Sequence, residues 1–331
     1  MANNNLSPAL SPLEPLLSDE SITEIMVDAP GRVIVERKGK LVDAGIKFDS
    51  PEALRAAMDA ALALGGVSFK PGQTVADARL ADGSRILGVL PPTAVSGPYL
   101  VIRKVWKTTL TMDKVIEFGA LTREALALLQ SAIRARLNIL VAGGAGSGKT
   151  TLMSLLTDEI PAEERVIAAE AFFELHLRHP RAINLSSDSS PDLSYVDVIS
   201  TAAKMRPDRL IFGELRGAEV MRILDIVSVG HDGSMMTMHA TSPEDALTRL
   251  EAMCLTANLG LGLGEIRNLI ASTLQLIVHI QRLPDGRRRI MRITELRGLE
   301  HDRFVLQPLM RYNPAEDKLE ATGARSSWES N

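Results

Sequence analysis

The sequence predicts an α/β fold: a phosphate-binding domain built on a parallel sheet, preceded by a smaller α+β domain. Three observations carry this. Up to residue 106 the strand patterns come as hairpins around short turns, which points to antiparallel pairing. From residue 120 apolar strands alternate with helical stretches, the pattern of a parallel sheet. One of those strands runs through a glycine-rich turn directly into a helix, the local arrangement of a phosphate loop.

In chain order, "TEIMVD" and "RVIVERKGKLVDAG" carry short strand patterns with a turn around Lys38-Gly39. "SPEALRAAMDAALALGG" is a helix marked at both ends: Ser50 caps it, Pro51 suits the first helical position, and Gly65-Gly66 stop it. "ADARLADGSRILGVLPP" reads as a hairpin turning at Asp82-Gly83, and "YLVIRKVW" as a further strand. Residues 107–119 are expected to form a linker between domain 1–106 and domain 120–312. In the second domain "TREALALLQSAIRARL" is helical, while "NILVAGG", "RVIAAE" and "DRLIFGE" are apolar strands. "SPEDALTRLEAMCL" is a helix with a capping box from Ser242 to Asp245. "LIVHIQRLPDGRRRIMRITEL" is a hairpin turning at Asp285-Gly286, and the polar stretch 313–331 is expected to be poorly ordered.

Bulk properties narrow the function classes. The 331 residues suffice for two domains with their own cores. A formal net charge of −4 argues against a protein dominated by contacts to nucleic-acid phosphates. Cys254 is the single cysteine, so intramolecular disulfides and zinc modules built on cysteine pairs are excluded, and a reducing cytoplasmic location is expected. No apolar run has the length of a membrane span, and "MANNNLSPALSP" lacks the marks of a secretory signal.

"GGAGSGKTT" matches G-x-x-x-x-G-K-[ST] from Gly143 to Thr150, with an apolar strand before it and a helix after it. Backbone N–H groups of Gly143, Gly144, Ala145, Gly146, Ser147 and Gly148 can cradle phosphate oxygens. The helix N-terminus beginning near Lys149 adds its dipole across Thr150 and Thr151. Lys149 supplies a point charge to the β- and γ-phosphates of a nucleotide, and the Thr150 hydroxyl can ligate Mg²⁺. Glu214, closing the strand "RLIFGE", is placed to orient and polarise a water; the alternative is a surface acid at a strand end. In "VGHDGSMMTMHA", a metal site built on His231 and His239 would want more ligands than Asp232 provides. Met235, Met236 and Met238 read as core filling.

"MRPDRLIFGELRG", "GHDGSMMTMHA" and the upstream "DGSRILGVLPP" with "VIRK" together resemble the secretion ATPase superfamily. Its members power type II and type IV secretion, conjugation, and pilus assembly or retraction. Tight-adherence pilus assembly ATPases are the most similar in pattern, followed by conjugal transfer ATPases of similar length. The resemblance runs from about Thr23 to Gly298. It implies a RecA-like P-loop ATPase domain, an N-terminal domain on a flexible linker, and a homohexameric ring that hydrolyses ATP with Mg²⁺. The implied partner is an inner-membrane platform protein, the implied place is the cytoplasmic face of that membrane, and no direct contact with nucleic acid is expected.

The resemblance also implies roles. Glu214 orients the attacking water, and Gly213 stands where many P-loop proteins have an aspartate. Glu170 and Glu174 match an acidic box, but Ala171 replaces its aspartate. Glu170 then either supports the metal shell and water or caps a strand end. Arg85 and Arg103, with Arg79 as a weaker candidate, reach the γ-phosphate from the N-terminal domain. Arg206 and Arg209 either face a neighbouring subunit's nucleotide or pair with acids. His239 reaches toward the γ-phosphate and distinguishes ATP from ADP, while His231 fixes its loop. Two rivals stay open: a RecA-like motor acting on nucleic acid, and a nucleotide-gated scaffold with little turnover, which Ala171 favours.

Overall fold

The computed structural model of the chain describes residues 7–37, 39–80, 82–104, 110–188 and 193–328. Contacts divide the chain into two compact units, Met1–Thr109 and Leu110–Asn331.

In the first unit a 3-10 turn, Pro8–Leu13, leads into α1 (Glu14–Ser18), and Leu10, Leu13, Leu16 and Leu17 are buried. There follow β1 (Ile22–Ala29), β2 (Arg32–Arg37), β3 (Lys40–Asp43), α2 (Pro51–Leu64), β4 (Val75–Arg79), β5 (Arg85–Val89) and β6 (Tyr99–Arg103). The described pairings are all antiparallel, in the order β3-β2-β1-β6-β5-β4. Ser50 caps α2 by accepting from the Ala53 N–H at 3.2 Å. Leu54, Ala57, Met58, Ala61 and Leu62 recur at helical spacing and bury one face of that helix. That face packs closely on the sheet: a Cβ at Gly88 of β5 would stand 2.8 Å from the Met58 sulfur.

The second unit begins with α3 (Met112–Glu117), α4 (Arg123–Arg134), β7 (Ile139–Gly143), α5 (Lys149–Thr157), β8 (Val166–Glu170) and β9 (Ala182–Ser186). It continues with α6 (Tyr195–Lys204), β10 (Arg209–Phe212), α7 (Glu219–Ser228), β11 (Met235–His239), α8 (Pro243–Thr256) and α9 (Leu263–Thr273). It closes with β12 (Leu276–Arg282), β13 (Arg288–Glu300), β14 (Arg303–Asn313) and β15 (Lys318–Ala321). The sheet order is β15-β14-β13-β12-β7-β11-β10-β8-β9. The run from β12 to β9 is parallel, and β13, β14 and β15 extend it antiparallel. Helices cover both faces of the parallel part. On β7, Leu140 and Ala142 enter the core that α6 to α9 share, while Ile139 and Val141 enter the core beneath α4 and α5. Burial on both faces is why these strands read as continuous apolar runs.

The structure corrects three expectations. Residues 110–119, assigned to a linker, carry α3, with Thr111 capping Lys114 and Val115 buried in the second core; residues 107–109 lie outside the described residues. The stretch expected to be a loose tail is packed as far as residue 328. Leu319 is buried on β15, and Trp328 packs on the second core while its indole N–H donates to Ser131 Oγ at 3.0 Å. Its few apolar residues are too widely spaced to show a period. Finally, Asp245 does not close a box with Ser242. Ser242 accepts from the Asp245 N–H, but the Asp245 carboxylate takes the N–H and hydroxyl of Thr241 instead.

Candidate active site

In a parallel sheet the carboxyl ends of neighbouring strands lie side by side, and here β7, β11, β10 and β8 are consecutive neighbours. His239, the last residue of β11, is in register with Gly143, the last of β7. Phe212 of β10 pairs with Met236 of β11 and with Ala169 of β8. The glycine-rich loop, His239, Glu214 and Glu170 therefore issue from four successive strand tips. Strand β10 ends at Phe212, so Glu214 lies two residues beyond it rather than on it.

The loop's shape depends on glycine at defined points. Gly146 and Gly148 have φ of +66° and +98°, a region that L side chains rarely adopt. A Cβ at Gly143 would stand 2.2 Å from the Ile280 carbonyl oxygen and 2.6 Å from Ser147 Oγ. Helix α5 starts at Lys149 with Gly148 as a cap that offers no side-chain acceptor. Its first N–H groups are thus available to an anion. Ser147 is buried, and its hydroxyl has no hydrogen-bond partner among the described residues. Lys149 is 7% exposed and donates from Nζ to the Gly144 carbonyl at 3.0 Å. Burial lowers the ammonium's pKa, and the carboxylates of Glu214 and Glu174 pull it back up. Thr150 is half-buried; Gly144, Ala145 and Gly146 are exposed.

Lys149, His239 and Glu214 form one chain. Lys149 Nζ is 3.3 Å from His239 Nδ1, and His239 Nε2 is 2.9 Å from Glu214 Oε1. An ammonium can only donate, so Nδ1 accepts, Nε2–H donates and the Glu214 carboxylate accepts. That polarity suits a neutral imidazole. The Glu214 turn is fastened to β11 by the Leu215 N–H, which donates to the Thr237 carbonyl at 2.7 Å, and by the Thr237 hydroxyl, which donates to the Gly213 carbonyl. The Tyr195 hydroxyl bridges the carbonyls of Ala169 and Glu214 at 3.3 and 3.4 Å. Burial, then Glu170 and Glu219 nearby, push that phenol's pKa upward, so it stays a donor.

Glu170 is 1% exposed, and its Oε1 accepts from the backbone N–H groups of Glu174 and Leu175, each at 3.0 Å. It lies against Gly213, where a Cβ would come within 2.8 Å of its Cγ. This close approach explains the glycine: an aspartate at residue 213 would displace Glu170. Ala171 is half-buried against the first core of the unit, and Phe172 beside it is stacked by the Arg216 guanidinium at 5.1 Å.

Other predicted residues fall elsewhere. Arg85 and Arg103 belong to the first unit, directly opposite each other on β5 and β6, with Arg79 opposite Arg85 on β4. Arg85 pairs with Asp77 at 2.9 Å and Arg103 with Glu24 at 3.5 Å. Arg209 is buried and holds Glu164 through Nε at 2.7 Å and a terminal nitrogen at 3.0 Å, which settles it as the partner of an acid. Arg206 is exposed. His231 Nδ1 donates to the Ile226 carbonyl at 2.8 Å, and Ser234 Oγ donates to the His231 carbonyl, so this histidine holds its own loop. Met235, Met236 and Met238 are buried in the two cores.

Sequence reasoning missed Arg282 and Arg288. They stand on the hairpin that flanks the glycine-rich loop from the β12 side, and Arg288 Nε donates to the Gly146 carbonyl at 3.2 Å. It also missed Tyr195. The run Arg287–Arg289 was visible, but the pairing of β12 with β7 that brings it to the loop was not.

The donor set fits a polyphosphate: a loop that needs glycine at Gly143 for space and at Gly146 and Gly148 for positive φ, a helix N-terminus without a side-chain cap, the Lys149 ammonium and a hydroxyl at Thr150. Among the described residues no group of three or more His, Cys, Asp or Glu could hold a metal ion by itself. A divalent ion here would be held by Thr150, phosphate oxygens and water, the habit of Mg²⁺ at phosphate sites.

A family model described as "Type II/IV secretion system protein" matches residues 7–307. The chain is similar to a Mycobacterium tuberculosis protein named for conjugal transfer, 33% identical over 299 residues, covering 87% of this chain and 84% of the relative. It is similar to the type IV secretion system protein VirB11 of Brucella suis, 31% identical over 303 residues, covering 82% and 84% of the two chains. Among solved structures, the pilus retraction motor PilT with bound ADP covers 90% of this chain and 84% of its own at a TM-score of 0.63 and 19% identity, a likeness of fold. In the described residues no helix is long and apolar enough to cross a membrane. With the family model spanning most of its length and such relatives alongside, the chain belongs to the type II/IV secretion system protein family.

Proposed function

We propose that this chain is an ATP-hydrolysing motor of a secretion, conjugation or pilus machine, with a RecA-like catalytic domain, acting as a homohexamer on an inner-membrane platform protein. The observation that carries the reading is the chain from Lys149 through His239 to Glu214 beside the glycine-rich loop. It joins a phosphate-binding cation to a carboxylate placed to orient water. Family membership supports the setting, and the names of the relatives support secretion or conjugation as the work performed.

In this reading the loop from Gly143 to Thr151 holds the nucleotide phosphates, and Lys149 leaves the Gly144 carbonyl for the β- and γ-phosphate oxygens. Glu214 aligns the attacking water, and His239, freed from Lys149, senses the γ-phosphate. Mg²⁺, held through Thr150, would neutralise phosphate charge. Arg85 and Arg103 would give up their carboxylate partners to add transition-state charge. Glu170, closed by two backbone donors, serves to shape the 170–175 turn.

The test is Mg²⁺-dependent phosphate release from ATP by the purified protein, with its mass in solution measured alongside. Lys149→Ala is expected to abolish turnover. Glu214→Gln is expected to lower kcat by about 100-fold or more, the usual worth of a positioned base. A second reading, a nucleotide-gated scaffold with little turnover, is favoured by Ala171 and the enclosed Glu170. A protein that binds ATP tightly yet releases no phosphate, even with its membranes present, would select it over the motor.

A further inference from the structure

His239 is the last residue of β11, and its ring meets Lys149 through one nitrogen and Glu214 through the other. What holds the chain just after it decides where that ring stands. The Ala240 N–H donates to the Gly143 carbonyl at 3.4 Å. Beyond Ala240 the polar bonds turn local. Thr241 donates its N–H and its hydroxyl to the Asp245 carboxylate at 2.8 and 3.0 Å, and the Ser242 hydroxyl accepts from the Asp245 N–H at 3.1 Å. Residues 241–245 are thus tied into the first turn of α8 and follow that helix end.

A bidentate ion pair joins this helix end to the sheet. Arg292 of β13 donates to the two Glu244 oxygens at 2.8 and 2.6 Å. Strand β13 lies three places from β11 in the sheet. The bond therefore pegs the segment after His239 to strands that do not carry the glycine-rich loop. Arg292 is in register with His279 of β12 and with Arg311 of β14. The His279 ring is 5% exposed, and its Nδ1 has no hydrogen-bond partner among the described residues. Burial, then the Arg292 charge, lower the His279 pKa against the pull of Glu244 and Asp245, so the ring is neutral at neutral pH. With a neutral ring on one flank and a cation on the other, Arg292 finds its counter-charge on α8. Its side chain is 22% exposed. Two short bonds to a shielded guanidinium set this pair apart from an ordinary surface ion pair.

We infer that Glu244 and Arg292 are a positioning pair: they hold the start of α8, and through it His239, in place to meet the γ-phosphate. This rests on the reading of His239 given above. A ring placed beforehand binds without the loss of freedom that placing it would cost. The pair consequently sets how strongly a nucleoside triphosphate is preferred to a diphosphate. The phosphates common to both lie on the loop, so diphosphate binding is independent of the pair.

The experiment measures AMP-PNP and ADP binding by competition against a fluorescent ADP analogue with Mg²⁺ present, together with ATP hydrolysis and melting temperature. The full chain is compared with Arg292→Gln, Glu244→Gln and the exchanged pair, Glu244→Arg with Arg292→Glu. Arg123→Gln, which removes an exposed arginine 3.4 Å from Asp113, controls for lost charge. Each single change to the pair is expected to weaken AMP-PNP by about 5-fold, to leave ADP within about twofold, and to lower kcat/KM for ATP in step. The exchanged pair should recover part of the loss, and Arg123→Gln should match wild type. In His239→Ala protein, adding Arg292→Gln should leave the ratio of AMP-PNP to ADP affinity where His239→Ala put it. A lowered melting temperature with that ratio at its wild-type value would make the pair structural only. A loss of equal size in the His239→Ala background would mean that it acts by another route. Either result overturns the proposal. If Arg292→Gln does not fold, Glu244→Gln decides, since that side chain is 56% exposed. Wild-type protein that binds no nucleotide, or His239→Ala with an unaltered ratio, would overturn the functional reading beneath, a separate outcome.

Discussion

Gly213 and Glu170 show how one missing side chain shapes this site. A Cβ at residue 213 would stand 2.8 Å from Glu170 Cγ and 3.0 Å from Oε1, the oxygen that holds the turn at Glu174 and Leu175. Gly213→Ala therefore forces the Glu170 side chain to shift and strains its bonds to those two N–H groups. A destabilisation of about 1–3 kcal/mol is expected, the range for overpacking, read as a shift in the urea midpoint at constant slope. Restoring aspartate at Ala171 tests the neighbouring departure: a faster turnover would mean that the box is impaired here, an unchanged one that Glu214 suffices. The glycine-rich loop was legible in the sequence because its residue types are dictated by backbone geometry. The fixation of Glu170 was not, since its partners are backbone N–H groups that any residue supplies. Arg209 was ambiguous for a related reason. Its acid, Glu164, is 45 residues away, and only the fold shows the two together.

Among the elements, the strands at the sheet centre were the easiest to read and the last strands the hardest. Burial on both faces forces the apolar runs of β7, β8 and β10, whereas β14 and β15 mix exposed and buried residues without a clean alternation. What fixes β15 is charge. The Asp317 carboxylate accepts from buried Arg289 and from the Tyr312 hydroxyl, and these bonds hold its pKa well below the usual carboxylate range. A carboxyl group depressed in the folded state adds stability above its unfolded pKa of about 4. That contribution disappears as pH falls through the lower, folded value. Asp317→Asn is therefore expected to melt below wild type at neutral pH, and the gap to close only in strong acid. Melting curves at pH 7, 4 and 2 check this; a gap that closes already above pH 5 would refute it.

For the molecule as a whole, each unit owns a core. In the first it lies between α2 and the antiparallel sheet; in the second, two cores sandwich the parallel strands. Segments 7–104 and 110–331, expressed apart, are each expected to unfold cooperatively, and the second to bind nucleotide alone through its own loop. Calorimetry and ADP binding check both statements; a second segment that fails to melt cooperatively would show that its core is incomplete. That the chain has two bodies was readable from the change in strand pattern. The point where the second body starts was not, because α3 is short and only Val115 of its residues is buried.

The strand tips act as a ruler. Neighbouring strands in any sheet lie roughly 4.8 Å apart, so the tips of β7 and β10, separated by β11, stand about two such spacings from each other. The His239 imidazole, issuing from the strand between them, joins Lys149 of the segment after β7 to Glu214 of the segment after β10. The spacing of these tips is set by backbone hydrogen bonding in the sheet, which side-chain substitution does not rescale. Variation beside a single tip, such as Ala171, changes one side chain and leaves that spacing intact.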